Sequence, residues 1–387
     1  MLTVKKLGSL LQRPPLSVEI IPGDGTEWTS SFTDNEPSIK EHHPFLLVEE
    51  NLGVPEKLLY KAYMSSIPLL MQSRHCTSTS PTVSSADLSQ EDLASSTAII
   101  LLANPAHQTA INARKRLVES SVLDPRDELG YITALLAVRS CAKQTIIWTY
   151  RRWLLLRVHG SYPSSRSSTG FQKEDSLLGL TMPVESWRHE FNVISRACET
   201  YPRNYFAWSH RHLCIEALCA LSLEQPDKTK DNLYILTEEF TFVKRWVELH
   251  VSDYSAMQYL CILHSTIQST TKQHPTERYI YADDADTDLV AHACTLIDTY
   301  PDHEALWLYL RAAMLTSGLS AGVSGTTSPM IKETEGFARG IQTMSNEGHL
   351  EYSETRCTVS NVDSEQIHRH STRFLQWLER EVRPVKI

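Results

Sequence analysis

The sequence lacks a long apolar segment, and its cysteines are not arranged in pairs. The longest apolar run covers residues 98–103, whereas a helix needs about 20 apolar residues to cross a bilayer. None of the eight cysteines belongs to a Cys-x-x-Cys motif, so we expect free thiols in the reducing cytoplasm. Residues 1–11 show no secretory signal. These absences predict a cytoplasmic protein without stable membrane insertion.

The sequence also lacks an excess of positive charge. It contains 37 Lys and Arg residues against 46 Asp and Glu residues, for a formal net charge of −9. Nucleic acids and anionic membrane surfaces are bound by clustered lysines and arginines. We therefore predict no nucleic-acid partner.

The common metal and nucleotide motifs are missing as well. There is no His-Glu-x-x-His pair, no phosphate-binding Gly-x-x-x-x-Gly-Lys loop, no Gly-x-Ser-x-Gly elbow and no dinucleotide fingerprint. The two His-Arg-His tripeptides, at 210–212 and 368–370, place their histidines on nearly opposite sides of a helix. We predict no metal site and no cofactor bound by this chain alone, and we identify no stand-alone active site.

The sequence does contain a turn followed by a helix start, at residues 201–213. Pro202 cannot continue a preceding helix, and the Asn204 side chain can accept hydrogen bonds as an N-cap. A helix is therefore predicted to begin at Tyr205. Trp208 and Arg211 then share one face, which is typical of a helix buried against a neighbour.

The same turn-and-helix pattern occurs five times. The residues at its tryptophan position, called the key positions below, are Ile111, Trp148, Trp208, Met257 and Trp307. Helical patterns at 90–103, 187–199, 234–249 and 287–299 provide first helices for four of the repeats. A period in the thirties with insertions, and two helices per unit, is typical of a helical-repeat solenoid. We predict an all-α superhelix of about five helix pairs, a crescent like that of tetratricopeptide arrays.

Composition divides the rest of the chain. In the first repeat, Asn104 and Pro105 are predicted to be the N-cap and first residue of the second helix. Proline, glycine and serine mark the other segments as irregular or as linkers, and apolar residues mark two capping helices. The predicted segments are an irregular arm (1–43), a capping helix with a Ser/Thr-rich linker (44–89), the repeats (90–316) with an insertion at about 159–185, a Gly/Ser/Thr-rich linker (317–363) and a capping helix (364–387).

The repeats resemble those of the protein prenyltransferase α-subunit family, which read roughly Asn-Tyr-x-x-Trp-x-x-Arg-Arg-x-Leu. The third copy matches this pattern at 204–211, and the second copy matches its later half at 148–155. Within the family the chain is most similar to the α-subunit repeat-containing protein 1 group. The stretches that carry this similarity lie at 44–54, 252–255 and 303–307.

The resemblance implies an activity and a partner. In this family the α-subunit wraps around a helical-barrel β-subunit, which holds the zinc, the isoprenoid and most catalytic groups. The chain would be the α-subunit of a heterodimeric protein prenyltransferase that transfers a geranylgeranyl group to a cysteine of an acceptor protein. Zinc is expected on the β-subunit, and the β-subunit of Rab geranylgeranyltransferase is the first candidate partner.

The resemblance also implies two site residues. The family places a lysine near the diphosphate, just before the Asn-Tyr of the third repeat, and the tyrosine near the subunit interface. Here these positions hold Arg203 and Tyr205. Arginine keeps the positive charge and can bind a diphosphate with two hydrogen bonds. The alternative is that Arg203 is a solvated turn residue.

The repeat residues have structural interpretations. The tryptophans are expected to fill gaps between helices rather than to bind a ligand. The arginines are expected either to bond the ends of adjacent helices or to reach a partner surface. These arginines are Arg151, Arg152, Arg211 and Arg311.

Two repeats depart from the family pattern. Leu260 and Leu310 stand where the first arginine is expected. This loss keeps open a second hypothesis, in which the chain is a non-catalytic interaction scaffold derived from the same fold.

Overall fold

The chain is built from helices that follow one another in antiparallel pairs, as the repeat pattern predicts. The computed structural model describes residues 2–26, 41–75, 90–160, 176–274, 288–317, 329–347 and 361–382. Much of the predicted Ser/Thr-rich linkers and of the insertion lies outside these ranges, as do Cys76 and Cys357. The described residues divide into two units, Met1–Leu221 and Ser222–Ile387.

The first unit begins with a helix and a small sheet. Helix α1 spans Leu2–Gln12, and the strands are β1 (Ser17–Ile21), β2 (Leu46–Val48) and β3 (Asn51–Pro55). The strand order is β1-β3-β2. Val18 pairs with Leu52 in the parallel ladder of β1 and β3, and Leu47 pairs with Leu52 in the antiparallel ladder of β2 and β3.

The prediction of an irregular arm at 1–43 therefore does not hold for α1 and β1. Helix α1 forms because Val4, Leu7 and Leu11 share one face, and all three side chains are buried. Gly8 allows α1 to lie close to the helix that contains Ser95, since a Cβ atom at position 8 would be 2.3 Å from the Cβ of Ser95. The sequence carried the helical period of α1, but the prolines and glycines that follow it obscured the signal.

The rest of the first unit consists of helices. Helix α2 packs against α3, and α3 and α4 pack as the first pair. The short helix α6 lies between α5 and α7, which pack as the second pair. Helices α8 and α9 form the third pair. Their bounds are α2 Glu56–His75, α3 Gln90–Ala103, α4 Gln108–Glu119, α5 Pro125–Leu136, α6 Arg139–Ala142, α7 Thr145–His159, α8 Val184–Thr200 and α9 Tyr205–Glu224.

The second unit continues the helix pairs. A short 3-10 turn at Pro226–Lys228 leads into α10, which packs against α11, and α12 packs against α13. The last two helices, α14 and α15, also form a pair. Their bounds are α10 Thr229–Leu249, α11 Tyr254–Gln273, α12 Leu289–Thr299, α13 Glu304–Thr316, α14 Pro329–Glu347 and α15 Asn361–Val382.

The C-terminal part differs from the predicted linker and single capping helix. Helix α14 lies inside the segment 317–363, and α15 begins three residues before the predicted start of the capping helix. Ile367, Phe374 and Leu378 of α15 are buried. The Phe374 ring lies 5.7 Å from that of Trp307 on α13. Helix α14 was missed because glycines and polar residues separate its buried residues, such as Ile331 and Ala338.

Side-chain caps fix where the second helices of the repeats begin. Asn204 caps α9, because its Oδ1 atom accepts from the Ala207 amide at 3.2 Å. This confirms the predicted start at Tyr205. The predicted start after Asn104 is wrong, since α4 begins at Gln108 and the Nδ1 atom of His107 accepts from the Ala110 amide. The N-cap lies four residues before the key position in both repeats, and the pair Asn104-Pro105 imitated a cap one turn too early.

The structure confirms the all-α fold class. Helix pairs of the helical-repeat solenoid class account for nearly all of the described chain, and the strands are short. No helix within the described ranges is both long and apolar enough to span a membrane.

Candidate functional site

The five key positions lie in the interior. Ile111, Trp148, Trp208, Met257 and Trp307 are each 3% exposed or less. Two tryptophans also bond the turn before their helix. The Nε1 atom of Trp148 donates to the Ala142 carbonyl at 2.9 Å, and that of Trp307 donates to the Pro301 carbonyl at 2.8 Å. Each ring therefore fills the space between helices and fixes the turn six residues before it.

The arginine three residues after the key position is buried too. Arg151 shows its geometry most fully. Its Nε and Nη2 atoms donate to the two carboxylate oxygens of Glu190 at 2.7 and 2.6 Å, and Nη1 donates to the hydroxyl of Thr133 at 2.9 Å. Thr133 is on the first helix of the same repeat, and Glu190 is on the first helix of the next repeat. One side chain thus connects two successive repeats with fork-like, charge-assisted hydrogen bonds.

Arg114 of the first repeat makes the same connection. It donates to both carboxylate oxygens of Glu128 on α5, and its Nη1 atom donates to Thr97 on α3 at 3.2 Å. The third-repeat arginine, Arg211, donates to the Ser195 hydroxyl on its own first helix at 2.9 Å. All three guanidinium groups are buried. The partners of Arg151 and Arg211 lie within neighbouring helices of the same chain, and not at the helix ends that the sequence suggested.

The acidic partners were not identified from the sequence. Glu128 and Glu190 are almost fully buried, although glutamate is rarely buried unless it is paired. The available signal was an acid within an apolar helix face, since Glu190 stands beside Trp187, Phe191 and Ile194 at helical spacing. Such an acid predicts a buried cation nearby.

In repeats two to four, a second residue also bonds this acidic position. It stands two residues after the key position. The Tyr150 hydroxyl donates to Glu128 at 2.9 Å, and the Tyr259 hydroxyl donates to Glu239 at 2.8 Å. The Nε2 atom of His210 is 2.8 Å from a carboxylate oxygen of Glu190. The acid is therefore the centre of a buried network, which is costly to break because each member loses a partner.

The charges in this network are strongly coupled. Burial alone would raise the pKa of Glu190. The positive charge of Arg151 and the hydrogen bonds from His210 and Arg151 instead hold this pKa well below its ordinary value. Burial lowers the pKa of His210, against the opposing effect of Glu190. Glu190 is therefore ionised and His210 neutral near pH 7.

This assignment predicts an acid sensitivity of the fold. Because the pKa of His210 is lower in the folded chain, the unfolded chain binds more protons as the pH falls through about 6.5, and stability is lost. We therefore expect the free energy of unfolding to fall as the pH is lowered from 7 to 5, with a contribution from His210. His210→Gln should reduce this slope in urea denaturation, whereas His212→Gln, a partly exposed neighbour on the same helix, should keep it. An unchanged slope in His210→Gln would contradict a neutral His210.

The arginine-to-acid connection between repeats four and five is absent at both of its ends. Leu260 and Leu310, at the arginine position, are fully buried. The acid position of the fifth repeat holds a histidine, because the Nδ1 atom of His292 lies 3.0 Å from the Tyr309 hydroxyl. The arginine of repeat four and the acid of repeat five are thus absent together. The two leucines alter the interior and not an exposed surface, which weakens them as evidence for a changed partner interface.

The turn of the third repeat displays the two predicted site residues. Arg203 has a left-handed backbone conformation (φ 57°) and an exposed side chain, and Tyr205 is 67% exposed. Between them, Asn204 is fully buried and its Nδ2 atom donates to the Ala142 carbonyl at 2.9 Å. This carbonyl also accepts from Trp148. The buried amide therefore holds the turn in place while a cation and a phenol point away from the core.

Other cations lie beside this turn. The guanidinium of Arg139 lies 5.6 Å from the centre of the Tyr201 ring. Lys143 is exposed and follows Ala142 directly in the chain. An anion that approaches Arg203 would therefore meet further positive charge from the second repeat.

The remaining predicted arginines differ from each other. Arg152 is buried, and its Nη2 atom donates to the Thr149 hydroxyl at 3.0 Å. Arg311 is partly buried, with its guanidinium 5.5 Å from the centre of the Trp377 ring.

Within the described ranges, no cluster of three or more His, Cys, Asp or Glu side chains is placed to hold a metal ion.

The geometry defines a helical-repeat protein in which a buried key residue marks each repeat and polar networks join repeats one to three. A model of the protein prenyltransferase alpha subunit repeat matches residues 187–218 and 236–267. The first match contains most of α8, Arg203, Tyr205 and most of α9, and the second contains most of α10 and α11. The chain therefore carries prenyltransferase alpha subunit repeats, as its sequence indicated.

Several curated proteins are similar to the chain. Protein prenyltransferase alpha subunit repeat-containing protein 1 of Danio rerio is 30% identical over 295 residues, which cover 69% of this chain and 63% of that protein. The Homo sapiens protein of the same name is 29% identical over 303 residues, or 69% and 68%. The alpha subunit of geranylgeranyl transferase type-2 from Candida albicans is 20% identical over 238 residues, or 54% and 57%. The chain thus spans slightly less than two thirds of the Danio rerio relative, and its similarity to the repeat-containing protein 1 group is confirmed.

Proposed function

We propose that the chain acts as the α-subunit of a heterodimeric protein prenyltransferase, which transfers a geranylgeranyl group to a cysteine of an acceptor protein. The observation that carries this proposal is the turn at Arg203 and Tyr205, an exposed cation and phenol held by the buried Asn204 within a matched repeat. The similarity to a geranylgeranyl transferase alpha subunit supports the choice of isoprenoid.

The proposed reaction divides the chemistry between two chains. The acceptor thiolate attacks C1 of the isoprenoid diphosphate, so that the S–C bond forms as the C1–O bond breaks and diphosphate leaves with the bonding electrons. Zinc on the β-subunit would lower the pKa of the acceptor thiol, whose proton passes to solvent. This chain contributes positive charge at the leaving group, where the guanidinium of Arg203 stabilises the developing negative charge.

The interior leucines bear on the rival hypothesis of a non-catalytic scaffold. That hypothesis rested on the lost arginines at positions 260 and 310. Both leucines are fully buried, and the equivalent arginines in repeats one to three bond helices of the same chain. The lost arginines therefore concern contacts inside the chain and not the exposed residues Arg203 and Tyr205. We therefore favour the catalytic α-subunit.

We place the complex in the cytoplasm. The six cysteines of the described ranges are free thiols, and burial raises the pKa of Cys141 to about 12. Such thiols are compatible with a reducing compartment.

Co-expression with candidate β-subunits tests the proposal, and the β-subunit of Rab geranylgeranyltransferase is the first choice. Co-purification followed by transfer of labelled geranylgeranyl to acceptor proteins is the expected result. A stoichiometric complex that transfers no label to any acceptor would favour the scaffold. No complex with any β-subunit would overturn the heterodimer, and the described fold would then belong to a binding protein with another partner.

A further inference from the structure

A small cavity in the second unit collects arginines from two helices. It lies between α13 and α15 and has a volume of about 270 Å³. Its lining includes Trp307, Glu304, Arg311, His370, Arg373 and Arg380. The arginines of α15 lie more than 60 residues beyond Arg311 in the chain, so the packing of the two helices brings them together.

The charges around this cavity are not balanced. Among the described residues that line it, three are arginines and Glu304 is the one carboxylate. Glu304 lies 3.3 Å from Arg373, and both side chains are about half exposed. Burial lowers the pKa of Arg311, and the positive charges of Arg380 and Arg373 lower it further. The positive charges of these arginines repel each other, and a bound anion would offset that repulsion.

One lining residue also carries a hydrogen-bond donor that the other described residues do not satisfy. The Nε atom of Arg311 is buried and has no hydrogen-bond partner in the described part of the chain. Its guanidinium is held against the Trp377 ring at 5.5 Å. Buried polar atoms are nearly always bonded, so an unpaired donor on a residue that lines the cavity calls for an acceptor.

We propose that Arg311, Arg373 and Arg380 form a binding site for an oxyanion of the phosphate class. Guanidinium groups match the geometry of phosphate oxygens, and the three arginines together with Glu304 leave two positive charges, which balance a dianion. The volume is just below the range of about 300–1,000 Å³ that holds drug-sized ligands. It suits inorganic phosphate, diphosphate or the phosphoryl group of an ester. These residues are separate from the Arg203 turn, so the site does not depend on the proposed transferase activity.

Calorimetric titration of the full chain tests this site. The probes are inorganic diphosphate, inorganic phosphate and phenyl phosphate, each at constant ionic strength. We expect a Kd of about 1 mM or tighter for at least one of them, weakened by added NaCl. Preference for diphosphate would identify a free anion as the ligand, and equal binding of phenyl phosphate would identify a phosphoryl ester. Both results support the site.

Two variants and one control assign the binding to these residues. Arg311→Gln and Arg373→Gln should each weaken binding about tenfold, since each removes a charge-assisted contact. Because the Arg373 side chain is about half exposed, we expect Arg373→Gln to fold even if Arg311→Gln does not. Arg339→Gln is the control, because Arg339 is exposed on α14 and pairs with Glu335 on its own helix. The site would be refuted by the absence of binding at 10 mM of every probe, a concentration about ten times the expected Kd, or by equal binding in all three variants.

Discussion

Replacing Arg151 by leucine is expected to lower the free energy of unfolding by about 3–5 kcal/mol, because it leaves the Glu190 carboxylate buried without its cation. Arg151 and Glu190 are both almost fully buried and share two hydrogen bonds of 2.7 and 2.6 Å. A loss of this size is a large fraction of the stability of a typical protein. Urea denaturation of the full chain, followed by circular dichroism, measures it.

Arg188→Leu is the matched control for this prediction. Arg188 also pairs with a glutamate, Glu185, at 2.8 Å, but its side chain is 41% exposed and that of Glu185 is 82% exposed. Exposed pairs of this kind contribute about 0–1 kcal/mol. Equal effects of the two substitutions would contradict the assignment of Arg151 as the connection between repeats.

A double variant separates the charge from the packing. Arg151→Leu combined with Glu190→Gln removes both charges and keeps an amide oxygen beside His210. We expect it to recover at least half of the loss, because an uncompensated buried charge is the main cost of the single variant. The chain itself lacks both charges between repeats four and five, where Leu260 occupies the arginine position and His292 the acid position.

Arg203→Ala should lower kcat about tenfold to a hundredfold in the assembled transferase, without loss of the complex. The reason is the removal of a positive charge from the place where the departing diphosphate becomes negative. The backbone should tolerate the change, since alanine and arginine carry the same Cβ atom at this left-handed position (φ 57°). A labelled-isoprenoid assay gives kcat and KM, and co-purification measures assembly.

Two further variants define the role of Arg203. Arg203→Lys should retain part of the activity, because the charge remains while the paired hydrogen bonds are lost. Arg196→Ala, an exposed arginine on α8 of the same repeat, should leave kcat unchanged. If kcat is unaltered in a stoichiometric complex with Arg203→Ala, Arg203 is a solvated turn residue and the diphosphate role is removed.

The sequence alone determined the repeated part of the fold. Tryptophan and its substitutes recur at one place in each turn-and-helix pattern, and all five key residues are buried. This prediction succeeded because helix periodicity and turn chemistry depend on residues near one another in the chain. The same local reasoning placed the start of α9 at Tyr205, and it failed at α4, where Asn104 and Pro105 imitated a cap.

Tertiary structure decided which polar groups meet. Arg151 bonds Glu190, which is 39 residues away, and Asn204 bonds the carbonyl of Ala142, which is 62 residues away. The arginines around the cavity between α13 and α15 are also brought together by packing. Periodicity tells which face of a helix is buried, but the partner across that face depends on how distant helices dock. The sequence therefore determined the helices of the repeats and the buried key positions. The tertiary structure decided that the repeat arginines bond neighbouring helices while Arg203 and Tyr205 remain exposed.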